Sequence, residues 1–367
     1  MKILKINLSI NTILSLVLIY PLILLFPSLL GYQAFFLTSP YFFLVFIFLV
    51  FILIIKKKIP YFKLLPIIIS LLVISIINFS SLRYSLPIFY LAFIILVMFF
   101  LKKVNTTINM KSIPFFFLIY IVCSIPFLFL ENGQEVTGRF VGFIGSPTVY
   151  AGVITTLYIL VSKGWVVKSY KFIISTIIVF SLVYLTKTRL ILIFILIFPF
   201  LKYFLENKIF FSLKKVFLIF LITIMSIYPL YEQVVKTFPS LVTLRYEDNR
   251  DASFGLRYFV YKKLITEYSE GSFTEKTFGK GNEYSRTYIK DLFQFDLMPH
   301  NDFIRILIDW GLIGLLMFIG FLYKISTKNK ETCFLSIVYM LLFYSNMIFN
   351  FFLISILIIF YFADKDD

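Results

Sequence analysis

The 367 residues are 60% hydrophobic and 20% aromatic, and they carry a formal net charge of +16. A soluble globular domain is usually about 45–50% apolar, so this composition excludes an ordinary soluble fold. The positive charge does not form a nucleic-acid patch, because the cations punctuate apolar runs; two cysteines alone support no disulfide framework.

A hydrocarbon core of about 30 Å takes roughly 20 helical residues to cross. Apolar runs of that order fall near 7–30, 36–55, 64–80, 84–101, 113–130, 147–162, 171–186, 189–205, 214–230, 301–323, 331–345 and 347–362. They predict an all-α polytopic membrane protein with about twelve transmembrane helices and one long periplasmic loop containing short helices. The expected parts are nine helices in 1–230, the large loop in 231–300, and C-terminal helices with a short tail in 301–367. The first run is too long for a signal-peptide core and lacks a small-residue cleavage site, so it is expected to be retained. Cys123 and Cys333 fall inside spans and read as small packing residues. The stretch 331–362 is short for a hairpin, and one long helix there would leave eleven spans.

Alternate connections hold Lys2 and Lys5; Lys56, Lys57, Lys58 and Lys63; Lys102, Lys103 and Lys111; and Lys163, Lys168 and Lys171. The later ones hold Lys202, Lys208, Lys214 and Lys215; Lys324, Lys328 and Lys330; and Lys365, twenty lysines in all. The short connections on the other side hold only Arg83, Arg139, Lys187 and Arg189. The positive-inside rule therefore puts both termini in the cytoplasm. The long loop balances ten acids against ten bases, so the basic charge is a topology signal. All eight arginines lie on or near the opposite, extracytoplasmic side. Guanidinium grips phosphate in a planar fork that ammonium cannot copy, although any one of them can equally pair with a loop carboxylate.

Residues 171–205 must cross twice around Thr186-Lys187-Thr188-Arg189, which predicts an Arg189 recessed below the membrane surface. In the loop, helical spacing over 254–270 gathers Phe254, Tyr258, Tyr261, Leu264, Ile265 and Tyr268 on one face. Arg257 falls in the middle of that face, where it either enters a cavity or lays its stem along apolar surface. The following Gly279-Lys280-Gly281 reads as a backbone turn, since no strand–helix context supports nucleotide binding. His300, the single histidine, stands where the loop re-enters the membrane and is a candidate general base. With no cysteine near it, zinc ligation is not expected. Beyond it Asp302, Arg305 and Asp309 make a charged stripe at i, i+3 and i+7, either an ion-pair ladder or a cavity lining. Gly311 and Gly314 below suit close helix packing.

The string His300-Asn301-Asp302-Phe303, followed by Trp310-Gly311-Leu312-Ile313-Gly314, resembles the signature after the large periplasmic loop of O-antigen polymerases and O-antigen ligases. Gly255-Leu256-Arg257, Phe278-Gly279-Lys280-Gly281, Thr186-Lys187-Thr188-Arg189-Leu190, and Arg139 ahead of Gly145-Ser146-Pro147 resemble other parts of the same proteins. The resemblance implies an inverting, metal-independent glycosyltransferase of the bacterial inner membrane, active at its periplasmic face and using no cofactor. Its substrate would be an undecaprenyl-pyrophosphate-linked oligosaccharide, and its partners membrane lipid and a chain-length regulator protein. Mapped residue by residue, Arg189, Arg257 and Arg139 would hold the pyrophosphate and His300 would deprotonate the acceptor. Asn301, Asp302, Arg305 and Arg250 would support the cavity. Polymerisation of repeat units is the expected activity; transfer of finished glycan to a lipid core, or flipping of the lipid-linked sugar, are the alternatives.

Overall fold

The computed structural model describes residues 112–134, 138–207, 212–237, 252–281, 283–294 and 301–345, with Leu22, Leu25 and Leu29. Expected spans before residue 112 and after 345 lie outside the described residues, as do Arg250 and His300. Among the described residues the regular structure is helical, with one isolated bridge between Gln134 and Phe140.

Five helices precede the loop: α1 (Ile113–Ser124), α2 (Pro147–Val161), α3 (Tyr170–Leu185), α4 (Arg189–Glu206) and α5 (Leu213–Thr237). The loop contributes α6 (Ala252–Glu270), α7 (Phe273–Phe278) and α8 (Tyr284–Phe293), followed by α9 (Asp302–Ser326) and α10 (Lys330–Ser345). Each described helix outside the loop coincides within a few residues with an apolar run, except that α1 stops at Ser124, short of the end of its run, and α5 continues past its run to Thr237. Among the described residues α9 alone is long and apolar enough to cross a membrane by itself; 113–128 and α3 are shorter apolar helices.

Local chemistry sets several of the starts. Pro147 opens α2, where its fixed φ and missing N–H cost nothing. The Ser169 hydroxyl accepts from the Phe172 N–H to cap α3, and the Asn301 side chain does the same for α9 from the Ile304 N–H at 3.1 Å. Helix α7 begins with a reciprocal capping box between Ser272 and Glu275.

Helices α2 and α10 form the centre. Every residue of α2 is buried, and α10 packs against α2, α4, α5 and α9. Edge-on aromatic contacts tie the layers, Phe198 to Phe334 at 4.9 Å and Phe318 to Phe343 at 5.2 Å between ring centroids. Cys333 is buried in α10 and Cys123 half-buried in α1, both as free thiols.

Lys163 and Glu331 approach to 3.9 Å between the end of α2 and the start of α10. Lys202 departs from the expected exposed anchor: it is buried and paired with Glu206 one turn on, at 2.6 Å.

Candidate active site at the loop junction

Helix α9 enters the molecule under a roof made by α6, α7 and α8. Its first half carries the charged stripe, and all three residues are buried. The Arg305 guanidinium reaches Asp302 at 3.3 Å and Glu283, from the turn before α8, at 3.8 Å. Arg286 approaches the other carboxylate oxygen of Glu283 at 3.9 Å. Asp309 does something else. Its two oxygens accept the backbone N–H groups of Ser285 at 2.8 Å and Glu283 at 3.1 Å, capping α8 from a different helix. The stripe is thus an ion-pair network in its upper part and a helix cap in its lower part.

Below Asp309 the helix breaks. Gly311 adopts φ 71° and ψ −173°, which an L side chain rarely tolerates, and this frees the carbonyls of Ile308 and Asp309 from their usual acceptor role. The Gly279-Lys280-Gly281 turn supplies the missing donors: the Lys280 N–H reaches Ile308 O at 3.0 Å and the Gly281 N–H reaches Asp309 O at 3.1 Å. The approach is too close for side chains. A Cβ on Gly279 would stand 2.2 Å from Asp309 O, and one on Gly311 2.4 Å from Thr277 O. The turn expected from sequence is therefore a backbone clasp on the broken helix. The Lys280 side chain is engaged by Glu267, whose carboxylate also accepts from the Tyr284 hydroxyl at 2.7 Å. Those bonds, led by Lys280, hold the Glu267 carboxyl below its ordinary range and raise Lys280 in turn.

From Tyr261 onward helix α6 carries the expected apolar face: Tyr261 and Leu264 are buried, with Ile265 and Tyr268 packed against them, while the Phe254 and Tyr258 side chains lie outside the described set. Arg257 is half-buried on that face, beside the Tyr261 hydroxyl. Tyr261 also hydrogen-bonds the Asn301 side chain; its burial pushes the phenol up to about 12, and the Arg257 charge tempers the rise. Arg257, Tyr261 and Asn301 thus meet where α9 begins, one residue from His300.

The two short turns before the loop also come together. The Arg139 Nε donates to Thr186 O at 3.1 Å, and the Phe140 N–H donates to Leu185 O at 3.0 Å. Thr186 and Thr188 are buried and joined through their hydroxyls at 2.9 Å, with Lys187 at φ 54° between them. Arg189 opens α4 with its side chain exposed rather than packed into protein. Of the arginines expected at the site, Arg139 and Arg189 therefore share one turn, while Arg257 stands with Asn301 on the loop side. Arg305 is committed to the ion-pair network.

Three participants escaped sequence reasoning: Tyr261 as a polar link, Glu283 as the hub between two arginines, and the backbone of Ser285. Only the arginine within the tyrosine-rich face hinted at the first. Nothing local distinguishes Glu283 from the other loop carboxylates.

Residues 174–319 match the family model described as O-Antigen ligase, and this segment contains Arg189, Arg257, Gly279, Glu283, His300, Asn301 and Arg305. No curated protein and no solved structure matches the chain. Over that segment the chain is similar to the O-antigen ligase and polymerase family.

Proposed function

We propose that this chain is a membrane glycosyltransferase that joins lipid-pyrophosphate-linked oligosaccharide repeat units into a longer surface polysaccharide. The observation that carries the reading is the junction of Arg257, Tyr261 and Asn301 at the start of α9, inside the family-matched segment and next to the single histidine. In the reaction, His300 takes the proton of an acceptor hydroxyl, and that oxygen attacks the anomeric carbon of the donor. The bond from that carbon to the diphosphate oxygen breaks with inversion, and the leaving diphosphate carries off the electron pair. Charge grows on it as the bond breaks, and a fixed guanidinium stabilises this charge better in the transition state than in the ground state. Arg257, with Arg189 and Arg139 of the turn before α4, is assigned that task. A substrate anchored to lipid suits a protein of bacterial membranes.

The test is the glycan ladder of cells carrying His300→Ala or Arg257→Ala, with insertion and expression verified. Single repeat units without long chains are the expected result, and Arg257→Lys is expected to resemble Arg257→Ala because ammonium lacks the bidentate fork. Transfer of finished glycan to a lipid core is the second reading, favoured by the description of the matched family. It predicts chains of normal length that stay on their carrier. Repeat units that never reach the outer face would point to a flippase and overturn both.

A further inference from the structure

Helix α7 has the sequence Phe-Thr-Glu-Lys-Thr-Phe, and its two rings are 83% and 65% exposed at Phe273 and Phe278. At 100° per residue both rings fall in one half of the circumference with Thr274 and Thr277, while Glu275 and Lys276 occupy the other. Two large aromatic side chains in so short a helix gain nothing from water. What covers them follows from the clasp. The backbone of Gly279 and Gly281, directly after Phe278, is fixed against Asp309 and Gly311 of α9. That is the level at which α9 changes character: its residues down to Gly311 are largely buried under the loop helices, whereas Leu312, Ile313, Leu316 and Met317 are exposed.

The next charge along α9 is Lys324. At ~1.5 Å per residue Gly311 stands only about 20 Å above it, so a hydrocarbon core of about 30 Å counted from Lys324 reaches past the break at Gly311. The clasp, and Phe278 with it, therefore lies at or below the outer boundary of the hydrocarbon. We propose that α7 is seated in the headgroup–acyl layer of the bilayer leaflet on the loop side, with Phe273 and Phe278 inserted among the lipids. Aromatic rings are the side chains favoured at that depth. The inference depends on α9 crossing the membrane, and it holds whether or not the chain is a transferase.

The experiment places nitroxide labels at Phe273→Cys and Phe278→Cys in a Cys123→Ala/Cys333→Ala background, in vesicles of phosphatidylethanolamine and phosphatidylglycerol. Ser269→Cys, exposed on α6, serves as the aqueous reference and Met317→Cys as the bilayer reference. Both loop labels are expected to collide more with oxygen than with a water-soluble nickel chelate, shifted from the Ser269 value toward the Met317 value. Labels that behave like Ser269 would overturn the proposal, as would labels shielded from both reagents, which would mean that protein covers the helix. Should the cysteine-free background fail to fold, a benzophenone side chain at 273 or 278 reads the same contact. Crosslinking to lipid supports the seating, and crosslinking to protein, or no crosslink at all, refutes it.

Discussion

Arg305→Met should destabilise the folded protein by about 3–5 kcal/mol, the usual cost of stripping one partner from a buried ion pair. The guanidinium is almost fully buried and faces Asp302 at 3.3 Å and Glu283 at 3.8 Å. Arg286 is the second cation of this network, and Asp309 lies one turn further along the same buried stripe; without Arg305 the carboxylates lose a cation in a region buried in the protein. A second substitution makes the cause visible. Asp302→Asn added to Arg305→Met removes one anion for the cation lost while leaving the Glu283–Arg286 contact in place, so the double variant should be more stable than Arg305→Met alone. A positive coupling within the range of about 0.5–3 kcal/mol, read from thermal unfolding in detergent, is the expected signature. Simple addition of two losses, or a single-variant loss under about 1 kcal/mol, would show that the network carries no buried charge balance.

The same network explains what could and could not be read in advance. The helices outside the loop were legible because a membrane-length apolar run is a local property, and each described one starts and stops within a few residues of its run, save the early end of α1 and the longer end of α5. The stripe of Asp302, Arg305 and Asp309 was legible because helical periodicity is local too. Its meaning was not. Asp309 caps α8 across a sequence separation of 24 to 26 residues, and Glu283 pairs with Arg305 across a similar gap. No spacing rule connects a lone loop carboxylate to a guanidinium in another helix. Arg139, read from sequence as a phosphate ligand, also donates its Nε to the Thr186 carbonyl, which fixes the turn carrying Arg189. A guanidinium carries five N–H donors, so a positioning role and a binding role can coexist in one side chain.

Gly279→Ala and Gly311→Ala should each cost more than the ~1–3 kcal/mol that a strained backbone position alone carries. Both residues sit at positive φ, 88° and 71°, and both would drive a Cβ into backbone atoms 2.2 and 2.4 Å away. Backbone cannot rotate aside as a side chain can, so the clasp must open. Opening it strands the Ile308 and Asp309 carbonyls, which lost their helical donors at the break and now depend on Lys280 and Gly281. Gly281 supplies the control within the same turn. Its φ is 108°, yet nothing lies within 4 Å of its Cβ position, so Gly281→Ala should show the conformational penalty without the clash. The ordering expected in thermal unfolding and in proteolysis of the loop is wild type, then Gly281→Ala, then either clasp variant. The Gly279→Ala/Gly311→Ala double variant should be little worse than the more damaging single one, because the first substitution already separates the surfaces. Equal effects at Gly279 and Gly281 would mean that strain alone matters, and that the loop is held to α9 by its side chains.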